Sequence, residues 1–371
     1  MHLATLELRD FRCYEAAALE LPAGVIAITG ANGQGKTSLL EAAGWIALGH
    51  SFRGVPDHAL VRQQAERAIV RAGVHDGESI RRADVELRAA GRHRILVNGN
   101  PVSRTRDLLG VLRVTVFAPD DLQLVKGGPA DRRAYLDELL TSSAPRYASV
   151  RADLDRVLRH RNALLRGGVR DAEARATLAV FDDQLVHTAG QLARGRLRLL
   201  DRLAPAVHDA YQRLAPDQGT VDAVYEAEWS PDGPPGEEDV DTQLRAALER
   251  HQRQEIERGL TLVGPHRDEW HLTIGGRESR THASQGEQRS LALGLRLAAH
   301  RVVTEVVGTQ PVLLLDDVFS ELDHARSRAL VAALPDQTQT VITSAGALPS
   351  GVTPSLHVHV HAGRILDRAP A

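Results

Sequence analysis

Eight consecutive residues, Gly30-Ala31-Asn32-Gly33-Gln34-Gly35-Lys36-Thr37, match the spacing G-x-x-x-x-G-K-[ST] and are suited to one kind of chemistry, holding a chain of phosphates. The glycines let successive backbone N–H groups turn toward phosphate oxygens, and a helix opening at Lys36 adds the positive end of its dipole. The Lys36 ammonium would reach the β- and γ-phosphates and the Thr37 hydroxyl would serve Mg2+. Ser38, next in that turn, is counted with the binding residues. The lysine is conspicuous: of 45 Lys and Arg side chains only Lys36 and Lys126 are lysines. A compact ammonium between two phosphates is the role that a planar guanidinium fills least well.

A second group of chemically useful residues lies far along the chain. Val312-Leu313-Leu314-Leu315-Asp316-Asp317 is an apolar run ending in paired carboxylates. Asp316 would hold Mg2+ directly or through water, and Asp317 sits where a general base could polarise the attacking water. Lys36 and Asp317 are therefore the catalytic candidates, and Thr37 and Asp316 the metal candidates. ATP and Mg2+ are the cofactors this chemistry calls for.

Such residues need a frame of strands and helices. Residues 3–8 alternate as a strand, and Val25–Thr29 is a continuous apolar run of the kind buried on both faces of a parallel sheet. A helical pattern runs from Gly35 through Trp45. Residues 83–97 read as a hairpin turning at Ala90-Gly91, with another turn at Asn98-Gly99, and Val114–Phe117 is a strand stopped by Pro119. From about Asp131 to Ile256 the pattern is mainly helical. Val150, Leu154, Val157, Leu158, Leu164 and Leu165 share one helical face, and Leu178, Leu185, Leu192 and Leu199 recur every seven residues with Phe181 and Leu203 in the same stripe. Gly167-Gly168 separates these segments and Pro205 is expected to end the second, giving a helical hairpin. A Pro/Gly-rich acidic stretch at 230–241 reads as an exposed loop. Strand character returns near Leu260, a helix follows Ser284, and Thr340-Val341-Ile342 is a further strand. The expected fold is α/β: a nucleotide-binding head with mixed sheets, residues 1–125 and 260–371, interrupted by a helical lobe, residues 126–259.

Composition narrows the partners. At 371 residues, 43% hydrophobic and 25% charged, the chain can bury a large core. The single cysteine, Cys13, removes disulfide frameworks and cysteine-based zinc sites. Acids among the first apolar residues do not fit a signal peptide, and no apolar run is long enough to span a bilayer, which points to the cytoplasm. A net charge of −3 hides an uneven distribution: residues 81–106 hold seven arginines against Asp84 and Glu86, while residues 222–241 hold eight acids and no Lys or Arg. The arginine segment is competent to face phosphates and equally reads as a solvated hairpin. His357, His359 and His361 alternate as a polar strand face, and Trp45, Trp229 and Trp270 are too dispersed to be a base-stacking platform.

Further motifs carry a resemblance. Ser284-Gln285-Gly286-Glu287-Gln288, upstream of the paired acids, resembles the signature of ABC-type ATPases, and Ser320-Glu321-Leu322-Asp323 resembles their D-loop. Such sequences occur in the heads of transporters, SMC proteins and Rad50. Other stretches are similar to the RecF family in particular: Leu8–Tyr14, the Asn32–Thr37 version of the phosphate loop, Ser51-Phe52-Arg53, Phe117–Leu122, Arg132–Asp137, Gly264–Asp268 and Leu315–Asp323. The resemblance implies an ABC-type head that forms an ATP-dependent homodimer, with Ser284, Gly286 and Glu287 of one protomer meeting the nucleotide held by the other, and with Asp323 beside it. It also implies DNA binding at single-strand gaps or stalled forks, in DNA replication, DNA repair and the SOS response to DNA damage. RecR, RecO and RecA would be partners in the pathway, and RecA loading the outcome. No membrane is involved.

Two departures from transporter ATPases bear on the rate. Asp317 stands where transporters carry Glu, so hydrolysis is expected to be slow. Val341-Ile342-Thr343-Ser344 has no histidine where transporters have a switch residue, leaving Thr343 or Ser344 for that place. Gln123 is a candidate Q-loop metal contact and equally a surface glutamine. His266 and Arg267 admit a catalytic reading and a structural one, a Gly-Pro turn followed by a capping Asp268. A transporter subunit is disfavoured by the helical insertion, and a small-molecule kinase by motifs that serve between subunits. An SMC- or Rad50-like head stays open as the alternative, although those chains carry coiled coils far longer than the helical segments here.

Overall fold

In the computed structural model, which describes residues 1–77, 79–230, 233 and 236–370, the chain divides into two compact units. The first comprises Met1–Leu122, Asp209–Asp217 and Arg289–Ala371, and the second Gln123–His208 and Gln218–Gln288. The units thus divide at 122/123, 208/209, 217/218 and 288/289, where the sequence reading divides at 125/126 and 259/260. Gln123 and Ser284–Gln288 fall in the second unit.

Two six-stranded sheets build the first unit. One is antiparallel throughout, in the order Tyr14–Glu20, His2–Phe11, Arg67–Asp76, Ser79–Arg88, Arg94–Val97, Asn100–Val102. The other runs Arg364–Pro370, Leu356–His361, Val25–Thr29, Thr340–Ser344, Val312–Asp316, Val114–Phe117, and is parallel except for its first pair. Because side chains alternate across a strand, the apolar run 312–315 feeds two cores. Val312 and Leu314, with Val341 and Val116, face one, while Leu313 and Leu315, with Ile342 and Phe117, face the other. The first core also takes in Leu6, Leu8, Val70 and Val85 of the antiparallel sheet and Leu39, Leu40, Trp45 and Ile46 of the helix Lys36–Leu48. That helix lies between the two sheets and is buried nearly all round, as a helix apolar on every face must be. The second core is closed by Leu293 and Leu297 of the helix Gln285–Val307 and Leu330 of the helix His324–Ala333.

The second unit is helical, with Pro129–Ser143, Arg146–Gly167, most of Ala172–Leu214, and Val240–Arg258. Two expectations are corrected here. Pro205 does not end its helix, which continues to Leu214. A proline inside a helix forfeits one backbone bond and crowds the carbonyl four residues back, here that of Asp201. The buried stripe Leu199, Leu203, Val207, Tyr211 and Leu214 outweighs that cost by packing. Second, the stretch read as helical contains the strand Val221–Glu226, the edge of a three-stranded sheet with Glu269–Ile274 and Arg277–Glu278. Its signal is a period of two, with Val221 and Tyr225 inward and Asp222, Val224 and Glu226 outward. Of the expected acidic loop at 230–241, residues 231, 232, 234 and 235 lie outside the described residues. Trp45, Trp229 and Trp270 are all core residues. Among the described residues no helix is long and apolar enough to cross a membrane.

Candidate nucleotide site

The phosphate loop joins the strand Val25–Thr29 to the helix Lys36–Leu48. Close approach demands glycine at both its ends. A Cβ on Gly30 would lie 2.3 Å from the Val360 carbonyl oxygen, and one on Gly35 would lie 2.6 Å from Cys13 Sγ, at φ values of +152° and +113°. Gly35 also caps the helix without any side-chain acceptor, which leaves the first N–H groups free for an anion. Ala31, Asn32 and Gly33 are exposed at the loop tip. Gln34 is used to brace it: its Oε1 accepts from Ala362 N–H at 2.6 Å and its carbonyl from Gly363 N–H at 3.0 Å. The buried Lys36 ammonium donates to the carbonyls of Gly30 (2.8 Å) and Ala31 (3.0 Å), and Ser38 is buried beside it in the first turn.

The paired acids arrive beneath this loop because the strands Val312–Asp316 and Thr340–Ser344 are neighbours in register, Asp316 opposite Thr343. Asp316 Oδ1 accepts from Thr37 Oγ1 and from Thr343 Oγ1, each at 2.8 Å. Burial raises the Asp316 pKa, opposed by these two hydroxyls and by the positive charge of Arg53. Asp317 N–H donates to Thr343 Oγ1 at 2.9 Å, and the Asp317 carbonyl accepts from Ser320 Oγ at 2.7 Å. Held from both sides, Asp317 adopts a left-handed backbone, φ +50°, which is uncommon for a residue with a side chain. Its Oδ1 is buried and without a hydrogen-bond partner. A hydroxyl and a carboxylate side by side form the hard oxygen donor set that Mg2+ prefers, so the residues fit that ion. Thr343 is at the site, whereas Ser344 Oγ turns to the Gly346 backbone.

Several supports were not read as site residues from the sequence. Glu41, fully buried in the loop's helix, accepts from Arg12 Nε (2.8 Å) and Nη2 (2.7 Å) and from Ser51 Oγ. Tyr14 Oη donates to the Gly35 carbonyl at 3.1 Å. Asp121 caps the turn at Ala118 N–H (2.9 Å) and pairs with Arg296 (2.6 Å). The one visible signal for Glu41 is a carboxylate within an otherwise apolar helix.

The D-loop residue Asp323 caps the helix His324–Ala333, accepting from Arg326 N–H at 2.8 Å and pairing with its guanidinium, which lowers its pKa. In the second unit, Ser284 and Glu287 form a reciprocal capping box: Ser284 N–H donates to Glu287 Oε2 at 2.7 Å and Glu287 N–H to Ser284 Oγ at 3.3 Å. Ser284 is exposed at this helix start, with Gly286 half-buried behind it. Gln123 is exposed at the head of a four-residue helix. The Gly264–Asp268 loop is clamped from within. Arg196 Nη1 donates to the Pro265 carbonyl (2.6 Å) and Arg133 to the Asp268 carbonyl (2.8 Å), while the Asp268 carboxylate accepts from Tyr225 Oη and from Trp229 Nε1 at 2.8 Å. Burial pushes Asp268 up to about 6 and His266 down to about 4. Of the two readings of this segment, the geometry within the unit favours the structural one.

The family model described as RecF/RecN/SMC N terminal domain matches residues 2–348. The chain is similar, at 43% identity over 98% of both chains, to the DNA replication and repair protein RecF of Kineococcus radiotolerans. It is 43% identical to that of Acidothermus cellulolyticus over 93% of this chain and 94% of the relative. A solved structure of the recombination mediator protein RecF-ATP in the RecFOR pathway is similar at a TM-score of 0.91 and 28% identity, over 99% of this chain and 97% of that one. An Smc head bound to the C-winged helix domain of ScpA shares the fold, at a TM-score of 0.60 and 15% identity over 100% and 98%. With the phosphate loop, paired acids and capped signature helix in place, the chain belongs to the RecF/RecN/SMC N-terminal domain family and, within it, to the RecF proteins.

Proposed function

We propose that this protein is an ATP-switched recombination mediator. ATP binds at Gly30–Ser38, with Lys36 on the β- and γ-phosphates. Thr37 and Asp316 would hold Mg2+, which when bound neutralises developing phosphate charge. Asp317 is the general base, a reading supported by its place at the end of the strand beside Asp316 and by an Oδ1 that has no hydrogen-bond partner. The exposed helix start at Ser284, with Gly286 and Glu287, completes the γ-phosphate site of a second protomer, with Asp323 nearby, so ATP closes a homodimer. Such a dimer would hold DNA at single-strand gaps or stalled forks and promote RecA loading with RecR and RecO, in the cytoplasm. Hydrolysis is slow and serves as release. The antiparallel sheet of the first unit offers the surface for phosphates: Arg67, Arg71, Arg82 and Arg88 lie along it, partly paired with Glu7, Asp84 and Glu86.

The observation that carries this reading is the hydrogen bond between Thr37 and Asp316, which joins the phosphate loop to the acid pair across 279 positions of sequence. Light scattering with ATP and gapped DNA tests it on wild type, Lys36→Met and Ser284→Arg. The expected result is an ATP-dependent dimer that both substitutions abolish. A nucleotide-independent dimer indifferent to Ser284→Arg would refute the trans site.

A further inference from the structure

One hairpin grips the phosphate loop at two points. It is formed by Leu356–His361 and Arg364–Pro370, and its first strand runs parallel to Val25–Thr29, which leads into the loop, with His359 opposite Thr29. The two chains stay together past that pair: the Val360 carbonyl oxygen fills the space that a Cβ on Gly30 would need. The hairpin then turns at Ala362-Gly363, whose φ values of +47° and +68° are those of the two-residue turn that matches strand twist. For alanine that left-handed backbone is uncommon and persists where its surroundings fix it. A turn of this kind leaves the N–H groups of its two central residues unused by the ladder. Here both go to Gln34, Ala362 N–H to Oε1 at 2.6 Å and Gly363 N–H to the carbonyl oxygen at 3.0 Å. Gln34 is the point of the loop where a grip has most effect. Its neighbours Gly33 and Gly35 both have positive φ, +77° and +113°, so the backbone on either side has little stiffness of its own, and Ala31, Asn32 and Gly33 are exposed.

We propose that Gln34 is a positioning residue for the nucleotide: through it the turn at Ala362-Gly363 holds the phosphate loop in its anion-binding shape before ATP arrives. A loop already ordered loses less freedom on binding, so the effect falls on affinity. The hydrolytic step is not reached by this route, because the acid pair comes from the end of the strand Val312–Asp316 and is fastened to Thr343. The proposal rests on the reading of Gly30–Ser38 as the ATP site.

Full-length wild type is compared with Gln34→Met and Gln34→Ala, which remove the side-chain acceptor, with Ala362→Val, which disturbs the turn from the hairpin side, and with the double variant of Gln34→Met and Ala362→Val. A β-branched side chain tolerates a left-handed backbone poorly. Calorimetric ATP titration gives Kd, steady-state turnover with saturating DNA gives KM and kcat, and melting gives Tm. Each single variant should weaken ATP binding about 3–10-fold, the usual worth of one hydrogen bond. KM should rise by the same factor, because slow hydrolysis lets KM follow Kd, while kcat stays within about twofold of wild type. The Gln34 variants should melt within about 3 °C of wild type. The double variant should bind ATP no more than about twofold more weakly than the worse single one, since both changes undo one clamp. The proposal is overturned by wild-type affinity in both Gln34 variants, by a loss confined to kcat, by fully additive losses in the double variant, or by Gln34 variants that melt well below wild type, which would make the residue a general support of the fold. Lys36→Met separates the two levels: wild-type ATP affinity in that protein would sink the reading of the site, whereas lost binding there beside wild-type affinity in Gln34→Met sinks only the brace.

Discussion

Glu41 offers the sharpest test of how the phosphate loop is held. Its carboxylate is 0% exposed, and its partner Arg12 is 19% exposed. Arg12 supplies two donors and Ser51 a third. Replacing Arg12 by methionine leaves a carboxylate in an apolar core with one hydroxyl. Breaking a buried pair from one side costs roughly 3–5 kcal/mol, and the partial exposure of Arg12 together with the surviving Ser51 bond puts the figure at about 3 kcal/mol. For a domain of this class that is a fall in Tm of roughly 6–12 °C. Glu41→Gln keeps an acceptor for Arg12 and should cost about 1 kcal/mol. The informative variant is the double change Arg12→Met with Glu41→Leu, which removes both charges and both desolvation penalties. It should recover most of the stability lost by Arg12→Met alone. Calorimetric melting of wild type, Arg12→Met, Glu41→Leu and the double variant, with an ATP titration of each, reads the cycle, and Glu41→Gln is measured beside them. The reasoning fails if Arg12→Met melts within about 1 °C of wild type, or if the double variant is no better than the single one.

Three other outcomes follow from the same geometry. Thr343→Val keeps shape but removes one donor to Asp316 and the acceptor for Asp317 N–H, so DNA-stimulated turnover should fall about tenfold while ATP binding persists; equal turnover would show that Thr343 is incidental. Pro205→Ala restores a backbone donor at an exposed helix position and should stabilise the second unit by about 1–3 kcal/mol, measured by urea unfolding. Asp268 and His266 predict opposed pH effects. The Asp268 pKa is raised to about 6, so its stabilising contribution is full in acid and lost as pH rises through 6. The His266 pKa is lowered to about 4, so its contribution is full above the ordinary histidine range and lost as pH falls toward 4. The contributions of this pair therefore nearly cancel between about pH 4 and 6.5, and Asp268→Asn should make stability rise with pH more steeply than in wild type across that window. A flat profile in Asp268→Asn would refute the assignment. The charges facing the pair are Arg133, Arg196 and Arg267, with Tyr225 on Asp268.

What could be read from the sequence is what is encoded locally. The phosphate loop declares itself because its glycines, lysine and threonine act within eight consecutive residues, and the acid pair because an apolar strand must end where its carboxylates become useful. The strand Val221–Glu226 was hidden because six residues of period two carry little weight inside a long helical and acidic stretch. Pro205 misled because a local cost of a few kcal/mol says nothing about the buried stripe on the helix's other face. The supports of the site were illegible for a different reason: Arg12, Glu41 and Ser51, or Thr37, Asp316 and Thr343, have no spacing rule, since strand order and register bring them together. The family-like stretches become intelligible only in that light. Arg12 and Tyr14 brace the loop and its helix, Asp121 clamps Arg296, Arg132 forks onto Glu269, and Asp137 pairs with the buried Arg196. Apart from the neutral Tyr14 bond, each places a charge where removing one partner strands the other in a low-dielectric interior, which is a penalty far steeper than losing a surface pair. Ser284 is the counterexample. Its capping bond with Glu287 orders the helix start while the residue itself stays exposed. The local hydrogen bonds make the helix start rigid, and the exposure of Ser284 is what the proposed site for a second protomer's nucleotide requires.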